Sequence, residues 1–214
     1  MFAINAMLAP AATGGGVSLA YSYEGLTNAS LDTGTTYNTT ATAIGTADAS
    51  RLVVVFVAIR GSSATITSGT IGGVSADIAS FAPFSGSRGV TAIWAEVPTG
   101  TTADIVTTFS SDPGTRVEYL VYRVVGLSSA TAHDEAESTS GSVSIDIPAD
   151  GFAFAVGVGA ASDDLSLGGV TTIDKLNDGG GLSTEAGTKE TVTLLTGHTI
   201  TSTNATGLYA VSFA

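Results

Sequence analysis

The chain contains two histidines, His133 and His198. Asp134 follows His133, but neighbours on an extended chain point to opposite sides, so the two do not form a catalytic pair. His198 follows Gly197 at an expected turn. A serine hydrolase of the α/β type would carry its nucleophile in Gly-x-Ser-x-Gly on a sharp strand-to-helix turn. The closest approach is Gly73-Val-Ser75-Ala-Asp77, which falls in an expected hairpin. Glycoside hydrolysis needs two carboxylates at a set separation. Glu96 with Glu118, and the group Asp163, Asp164, Asp174 and Asp178, supply carboxylates, as any acidic β-protein would. Asp174-x-x-Asn177-Asp178-Gly179 could offer oxygens to calcium but lacks the EF-hand spacing, and Asn, Asp and Gly are ordinary turn residues. The glycine triplets 14–16 and 179–181 are not followed by Lys-Ser/Thr and open no expected helix, so they read as hinges or turns rather than phosphate loops. A sugar-stacking platform needs exposed aromatics. Trp94, Tyr119, Tyr122 and Tyr209 lie in strongly apolar strands and are expected in the core, whereas Tyr21, Tyr23 and Tyr37 are expected to be partly exposed. These patterns predict no catalytic residue, no cofactor and no metal site.

The elements that would position such residues are strands. Arg51 to Arg60 reads R-L-V-V-V-F-V-A-I-R, an apolar run too short to span a membrane and suited to a strand buried on both faces. Val90 to Val97 and Arg116 to Val125 are further strong strands. In the first, Ala92, Trp94 and Glu96 share one face and Ile93 and Ala95 the other. In the second, Tyr119 and Val121 oppose Leu120, Tyr122 and Val124. Val17 to Glu24, Ala103 to Phe109 and Val143 to Ile147 alternate as half-buried strands, and Thr35 to Ala43 reads as a Thr-rich edge strand. Gly72-Gly73 between β-formers signals a hairpin. Phe152 to Ala161 is a second buried strand, and Val170 to Lys175, Thr191 to Leu195, Thr199 to Thr203 and Leu208 to Phe213 complete the set. The 3.6-residue period of a helix is missing almost everywhere. Residues 126–142 form the longest acidic loop. The expected organisation is an N-terminal arm over 1–16 and a β-sandwich of jelly-roll type over 17–214, and an internal boundary, if the chain has one, falls near 128–142. A buried strand followed by Gly-Gly-Val and an aromatic-bearing strand occurs in 51–125 and again in 152–213, where Gly168-Gly169-Val170 matches Gly72-Gly73-Val74. Any meander built from the same few residue types is self-similar in this way, and the match is read as shared composition.

Composition excludes several functions. At 214 residues and 43% hydrophobic the chain can bury a sizeable core, but only 12% is charged, so its polar surface is built from Ser, Thr, Asn and Gly. The net charge of −12, with seven scattered basic residues, argues against nucleic acid, which is bound by clustered Lys and Arg. Cysteine is absent, which rules out disulfides and thiolate metal sites. Asn28, Asn38 and Asn204 head glycosylation sequons of the kind chance supplies in a Ser/Thr-rich chain.

The first sixteen residues, M-F-A-I-N-A-M-L-A-P-A-A-T-G-G-G, lack the positive start and long apolar centre of a signal peptide, so export by that route is not expected. Phe2, Ile4, Met7 and Leu8 form a short apolar peptide ahead of a glycine hinge. They are expected either to dock on a partner, in a groove or along a sheet edge, or to pack on their own domain.

Four stretches carry a resemblance: Ile44-Gly-Thr-Ala-Asp-Ala-Ser-Arg-Leu-Val-Val-Val, Thr70-Ile-Gly-Gly-Val-Ser, Ala92-Ile-Trp-Ala-Glu-Val-Pro-Thr-Gly-Thr-Thr and Tyr122-Arg-Val-Val-Gly-Leu-Ser-Ser-Ala-Thr. Over roughly residues 44–134 the chain resembles structural proteins of tailed-phage and prophage virions. The resemblance implies a β-sandwich module on a virion, such as a head decoration, spike, fibre or tail component. It implies other virion proteins as partners and carries no catalytic residue across. With it, Phe2, Ile4, Met7 and Leu8 become the expected docking residues, a homo-oligomer is expected, and neither nucleic acid nor a membrane span is. A glycan-binding module for host attachment is the alternative, which would bring a host glycan in as partner.

Overall fold

The computed structural model describes residues 20–28, 30–80, 82, 84–85, 87–161, 163–177 and 181–214. Every regular element among them is a strand. The first half carries β1 (Ala20–Asn28), β2 (Ser30–Thr33), β3 (Thr36–Ala43), β4 (Leu52–Gly61), β5 (Ile66–Ile71), β6 (Val74–Ser75), β7 (Asp77–Ile78), β8 (Phe84–Ser85), β9 (Arg88–Glu96), β10 (Thr102–Phe109) and β11 (Gly114–Val125). The second carries β12 (Asp134–Ser138), β13 (Ser142–Ile147), β14 (Phe152–Gly159), β15 (Ser166–Gly168), β16 (Thr171–Asn177), β17 (Ser183–Glu190), β18 (Leu195–Thr203) and β19 (Gly207–Phe213).

These strands make four antiparallel sheets. The first half forms an inner sheet, β1-β11-β4-β9-β7 with β8 on β9, and an outer sheet, β2-β3-β10-β5-β6. The second forms an inner sheet, β12-β19-β14-β17-β16, and an outer sheet, β13-β18-β15. The order repeats strand for strand: β1, β11, β4, β9 and β7 match β12, β19, β14, β17 and β16, and β3, β10 and β5 match β13, β18 and β15. The two Gly-Gly turns occupy the same place in this order, just after β5 and at the end of β15. The internal echo is therefore one of topology as well as composition. Gly72 and Gly73 both have positive φ, 60° and 78°, the pairing that closes a tight hairpin in the hand of the strand twist.

The apolar runs dictate the layering. Leu52, Val54, Phe56 and Ala58 of β4 face the inner sheet of the second half, together with Ala92 and Trp94 of β9 and Leu120, Tyr122 and Val124 of β11. They meet Phe152, Phe154, Val156 and Val158 of β14 and Tyr209, Val211 and Phe213 of β19 in one core. Val53, Val55, Val57 and Ile59 turn the other way, onto Ile105 and Phe109 of the first outer sheet. Ala153 and Ala155 of β14 likewise turn to Val143, Ile145 and Ile200 of the second outer sheet. Four layers thus enclose three cores, and the middle core is a seam joining the halves. Phe56 lies edge-on to Phe154 at 5.6 Å, and Trp94 to Phe213 at 5.6 Å, across it.

The faces expected for Trp94, Tyr119 and Tyr122 agree with this arrangement. Three expectations need correction, and one strand was not expected. Thr36–Ala43 is an edge only in its second part, because β2 pairs along Thr36–Asn38. The acidic loop contains a strand, β12, held by β19. Residues 191–194 form a turn with Val192 and Leu194 exposed, because Thr191 Oγ1 accepts the Thr193 N–H at 3.1 Å and bends the chain. Residues 183–190, polar and unremarked in the sequence, form the buried strand β17.

Arg51 is fully buried at the start of β4. Its Nε donates to Val97 O at 2.6 Å, Nη1 to Gly45 O at 2.7 Å and Gly100 O at 2.9 Å, and Nη2 to Thr99 O at 2.7 Å. One guanidinium thereby ties the 44–45 and 97–100 loops to the central strand. A lysine ammonium cannot reach carbonyls spread over this planar fork. Arg51→Lys is expected to lower stability by roughly 2–4 kcal/mol, as stranded buried carbonyls do, read as a lower urea midpoint at unchanged slope.

Candidate functional site

Strand β17 reads Ser183-Thr-Glu-Ala-Gly-Thr-Lys-Glu190 and runs between β14 and β16. Ser183, Thr184, Glu185 and Thr188 are each less than 5% exposed. Buried polar groups cost free energy unless bonded, so a polar strand in the interior marks the place where local sequence and global fold conflict. Its even residues face the seam, where Ala186 packs beside Leu182. Its odd residues face the second outer sheet. There the Glu185 carboxylate accepts the Leu167 N–H at 3.2 Å and the Thr172 hydroxyl at 2.8 Å, with Lys175 Nζ at 3.8 Å.

Toward the seam, β17 and its neighbour β16 meet β1 and β11. The Thr188 hydroxyl donates to Tyr21 Oη at 2.9 Å, and Tyr21 stacks on Phe152 at 6.2 Å. Tyr23 lies 5.3 Å from Tyr122, ring to ring, and its hydroxyl and the Asp174 carboxyl act on each other. Asp174 follows a register shift in β16 and Tyr23 precedes one in β1, so bulges on the two facing edges aim these side chains. Burial pushes the Asp174 carboxyl up to about 6, against the opposing pull of the Lys175 backbone N–H and the Tyr23 hydroxyl. Burial, reinforced by Asp174, holds both Tyr23 and Tyr122 well above the ordinary phenol range.

One end of the seam is lined by arginines. Arg88, Arg60 and Arg116 stand directly opposite one another on β9, β4 and β11. Arg88 Nε donates to Gly181 O at 2.9 Å, and Arg116 pairs with the buried Glu118. Gly181 has φ +99°, a backbone conformation that favours glycine, and the Arg60 guanidinium lies close over it. At the opposite margin, Tyr209 Oη donates to Glu135 at 2.6 Å, and Glu135 also receives the Ser80 N–H at 2.9 Å, binding the halves directly.

The residues singled out in the sequence are dispersed. Phe2, Ile4, Met7 and Leu8 lie outside the described residues, as does Asp178. The His133 N–H donates to Ser212 O, and the Asp134 carboxylate is committed to the Glu135 and Asp146 amides. His198 Nε2 lies 2.7 Å from Gly169 O. Ser75 and Asp77 are exposed on short edge strands. Glu96 pairs with Leu52 and Glu118 with Ala58, which puts them about 20 Å apart along β4, too far for a catalytic pair. Asp163 caps the Ala160 N–H and Asp164 pairs with Lys175 at 2.6 Å. Among the described residues no group of three or more His, Asp and Glu could hold a metal. Trp94, Tyr119, Tyr122 and Tyr209 are in the core as expected, but Tyr37 is buried too, donating to Asp112 at 3.1 Å, and Tyr21 and Tyr23 are half-buried against the seam. Among the aromatic side chains whose burial is described, none is exposed.

Asp174 reads in the sequence as a candidate carboxylate or calcium donor and as a turn residue, not as a group of the seam, and Thr184 and Thr188 carry no expectation. The available signal was the alternation Thr184, Ala186, Thr188, since Thr favours strands. The titration of Asp174 has a measurable sign. Its folded pKa of about 6 lies above the ordinary 3.8, so the folded state holds the proton more tightly. The stability it contributes is complete below pH 3.8 and is lost as pH rises to about 6. Asp174→Asn is expected to remove this decline, so that unfolding free energies of variant and wild type diverge between about pH 4 and pH 6 in favour of the variant.

Comparison of the chain with protein families, with characterised proteins and with solved structures finds no match.

Proposed function

We propose that this protein is a non-enzymatic structural component of a tailed-phage virion, a head decoration, spike, fibre or tail protein. The observation that carries the proposal is the strand order of the first half. Numbering its principal strands first to eighth as β1, β3, β4, β5, β6, β9, β10 and β11, the inner sheet runs first-eighth-third-sixth and the outer second-seventh-fourth-fifth. That order supports a jelly roll, an architecture of viral capsid proteins and lectins. The second half repeats the inner order and the second-seventh-fourth order of its outer sheet. The resemblance over residues 44–134 points to virions rather than lectins, and the described aromatics offer no stacking platform for a glycan.

In this reading Phe2, Ile4, Met7 and Leu8 dock the protein on a capsid or tail partner. Buried apolar area there contributes about 25 cal/mol per Å² before ordering costs, and repetition around a symmetry axis adds avidity. The sandwiches supply the projecting body, and their charge-poor, hydroxyl-rich outer faces suit close packing in a homo-oligomer. Deletion of residues 1–16 is expected to abolish co-sedimentation with particles of the cognate phage and to leave the circular dichroism spectrum and unfolding midpoint unchanged. Truncated protein that still decorates particles would overturn the docking role.

A further inference from the structure

The two halves carry matching loops at one end of the seam and close them differently. As β9 ends, the Val97 N–H donates to Arg51 O at 3.1 Å; as β17 ends, the Thr191 N–H donates to Gly151 O at 3.1 Å. Gly151 therefore holds the place of Arg51 in the repeat. A Cβ at Gly151 would stand 2.3 Å from Phe213 O, so the second half has no room for the arginine that ties down the 97–100 loop. Its own loop leaves Val192 74% and Leu194 58% exposed. Val74, the remaining exposed large hydrophobic among the described residues, lies at this end too, because a Cβ on the adjoining Gly72 would touch Val97. Scattered exposed apolar residues are ordinary, but three gathered at one end are not. Glu96, Asp150 and Glu190 are exposed around them. Of the basic residues at this end, Arg51 is buried, Arg123 donates to Thr46 O at 2.8 Å, and Lys189 stands on the outer-sheet face of β17.

The opposite end of the seam is reached along β4 from Leu52 to Arg60, about 27 Å away. It carries the row Arg88, Arg60 and Arg116, and like charges directly opposite one another on neighbouring strands repel. Glu118 pairs with Arg116, whereas the Arg88 Nε meets the Gly181 carbonyl, which brings no opposing charge. The carboxylates nearby are engaged, Asp164 by Lys175 and Asp163 by the Ala160 N–H. We propose that copies of this chain stack head to tail along the seam, the Val192–Leu194 end of one against the arginine end of the next. The two ends are complementary in charge, carboxylates on one and guanidinium groups on the other. Four sheets about 10 Å apart, of about five strands at about 4.8 Å, give an end roughly 30 by 20 Å between strand axes. With side chains added, that is comparable with the roughly 800 Å² each partner gives to a stable interface. The contact joins two different surfaces, so it repeats along a file of copies instead of closing as a dimer. It adds a contact to the homo-oligomer of the proposed function without resting on the virion reading.

Sedimentation equilibrium of the purified full chain over a wide range of concentration tests it, apart from any particle. The weight-average mass of the wild type is expected to climb past twice that of one chain. Val192→Asp and Glu190→Lys change exposed side chains, and each is expected to hold the mass at one chain with an unchanged circular dichroism spectrum. A minor share of Glu190→Lys added to wild type is expected to lower the mean mass, because its arginine end still docks and its altered end stops the file. Arg88→Glu is expected to remain a single chain as well, and an equimolar mixture of Arg88→Glu with Glu190→Lys to assemble, since every junction then pairs opposite charges. A wild type that stays a single chain, a mass that stops at the dimer, or growth that neither Val192→Asp nor Glu190→Lys reduces would overturn the contact. So would a mixture of two folded single-charge variants that fails to assemble. If Arg88→Glu does not fold, the terminating effect of Glu190→Lys decides, and a mean mass it leaves unchanged would overturn the proposal.

Discussion

A strand that is apolar on both faces must be covered on both. β4 buries Leu52, Val54, Phe56 and Ala58 on one side and Val53, Val55, Val57 and Ile59 on the other. β14 does the same, with phenylalanines and valines toward the seam and alanines toward its own outer sheet. A lone sandwich gives an inner strand only one covered face. Here each half supplies the second cover for the other, and the four-layer stack follows from that requirement. The asymmetry of the cores follows as well. The seam takes the large aromatics, and the core between β14 and its outer sheet is lined by Ala153 and Ala155.

The same stacking explains how a polar strand survives in the interior. β17 is held by β14 on one side and β16 on the other, so its backbone is paired along its length. Glu185 is anchored toward the outer sheet and Thr188 toward Tyr21, and apolar neighbours provide the rest of its burial. Buried polar atoms without a hydrogen-bond partner among the described residues occur on several elements, at Trp94, Tyr122, Asp174, Ser183, Thr184 and Ser202, and the arginines of β9, β4 and β11 stand at one end of the seam. The opposite margin closes through the Tyr209–Glu135–Ser80 contacts. The joint between the halves is thus apolar at its centre and polar at its rims.

Much of this was legible in the sequence because burial and alternation leave a direct trace. The run from Arg51 to Arg60 announced a doubly covered strand, and period two placed Trp94 and Tyr122 on the correct faces. Other parts were not legible. β17 lacks large apolar residues, and its burial comes from neighbours distant in sequence, so composition reads it as loop. β12 is acidic and owes its strand state to pairing with β19. Asp174 falls in the expected strand Val170 to Lys175, but its place in the seam appears only when β16 is brought against β1. The echo between 51–125 and 152–213 was visible as composition, and the repeated strand order adds a likeness of topology to it.

The central claim is that the seam makes the two halves one cooperative body. The single tryptophan is well placed to report on it, since Trp94 belongs to the first half and packs edge-on against Phe213 of the second. The direct measurement is equilibrium unfolding in urea followed by Trp94 fluorescence and by far-ultraviolet circular dichroism on the same samples. Coincident, single transitions are predicted, with a slope matching exposure of the whole chain. A fluorescence transition that precedes loss of the strand signal, or two resolved steps in the dichroism, would mean that the halves part and unfold separately, and would contradict the claim.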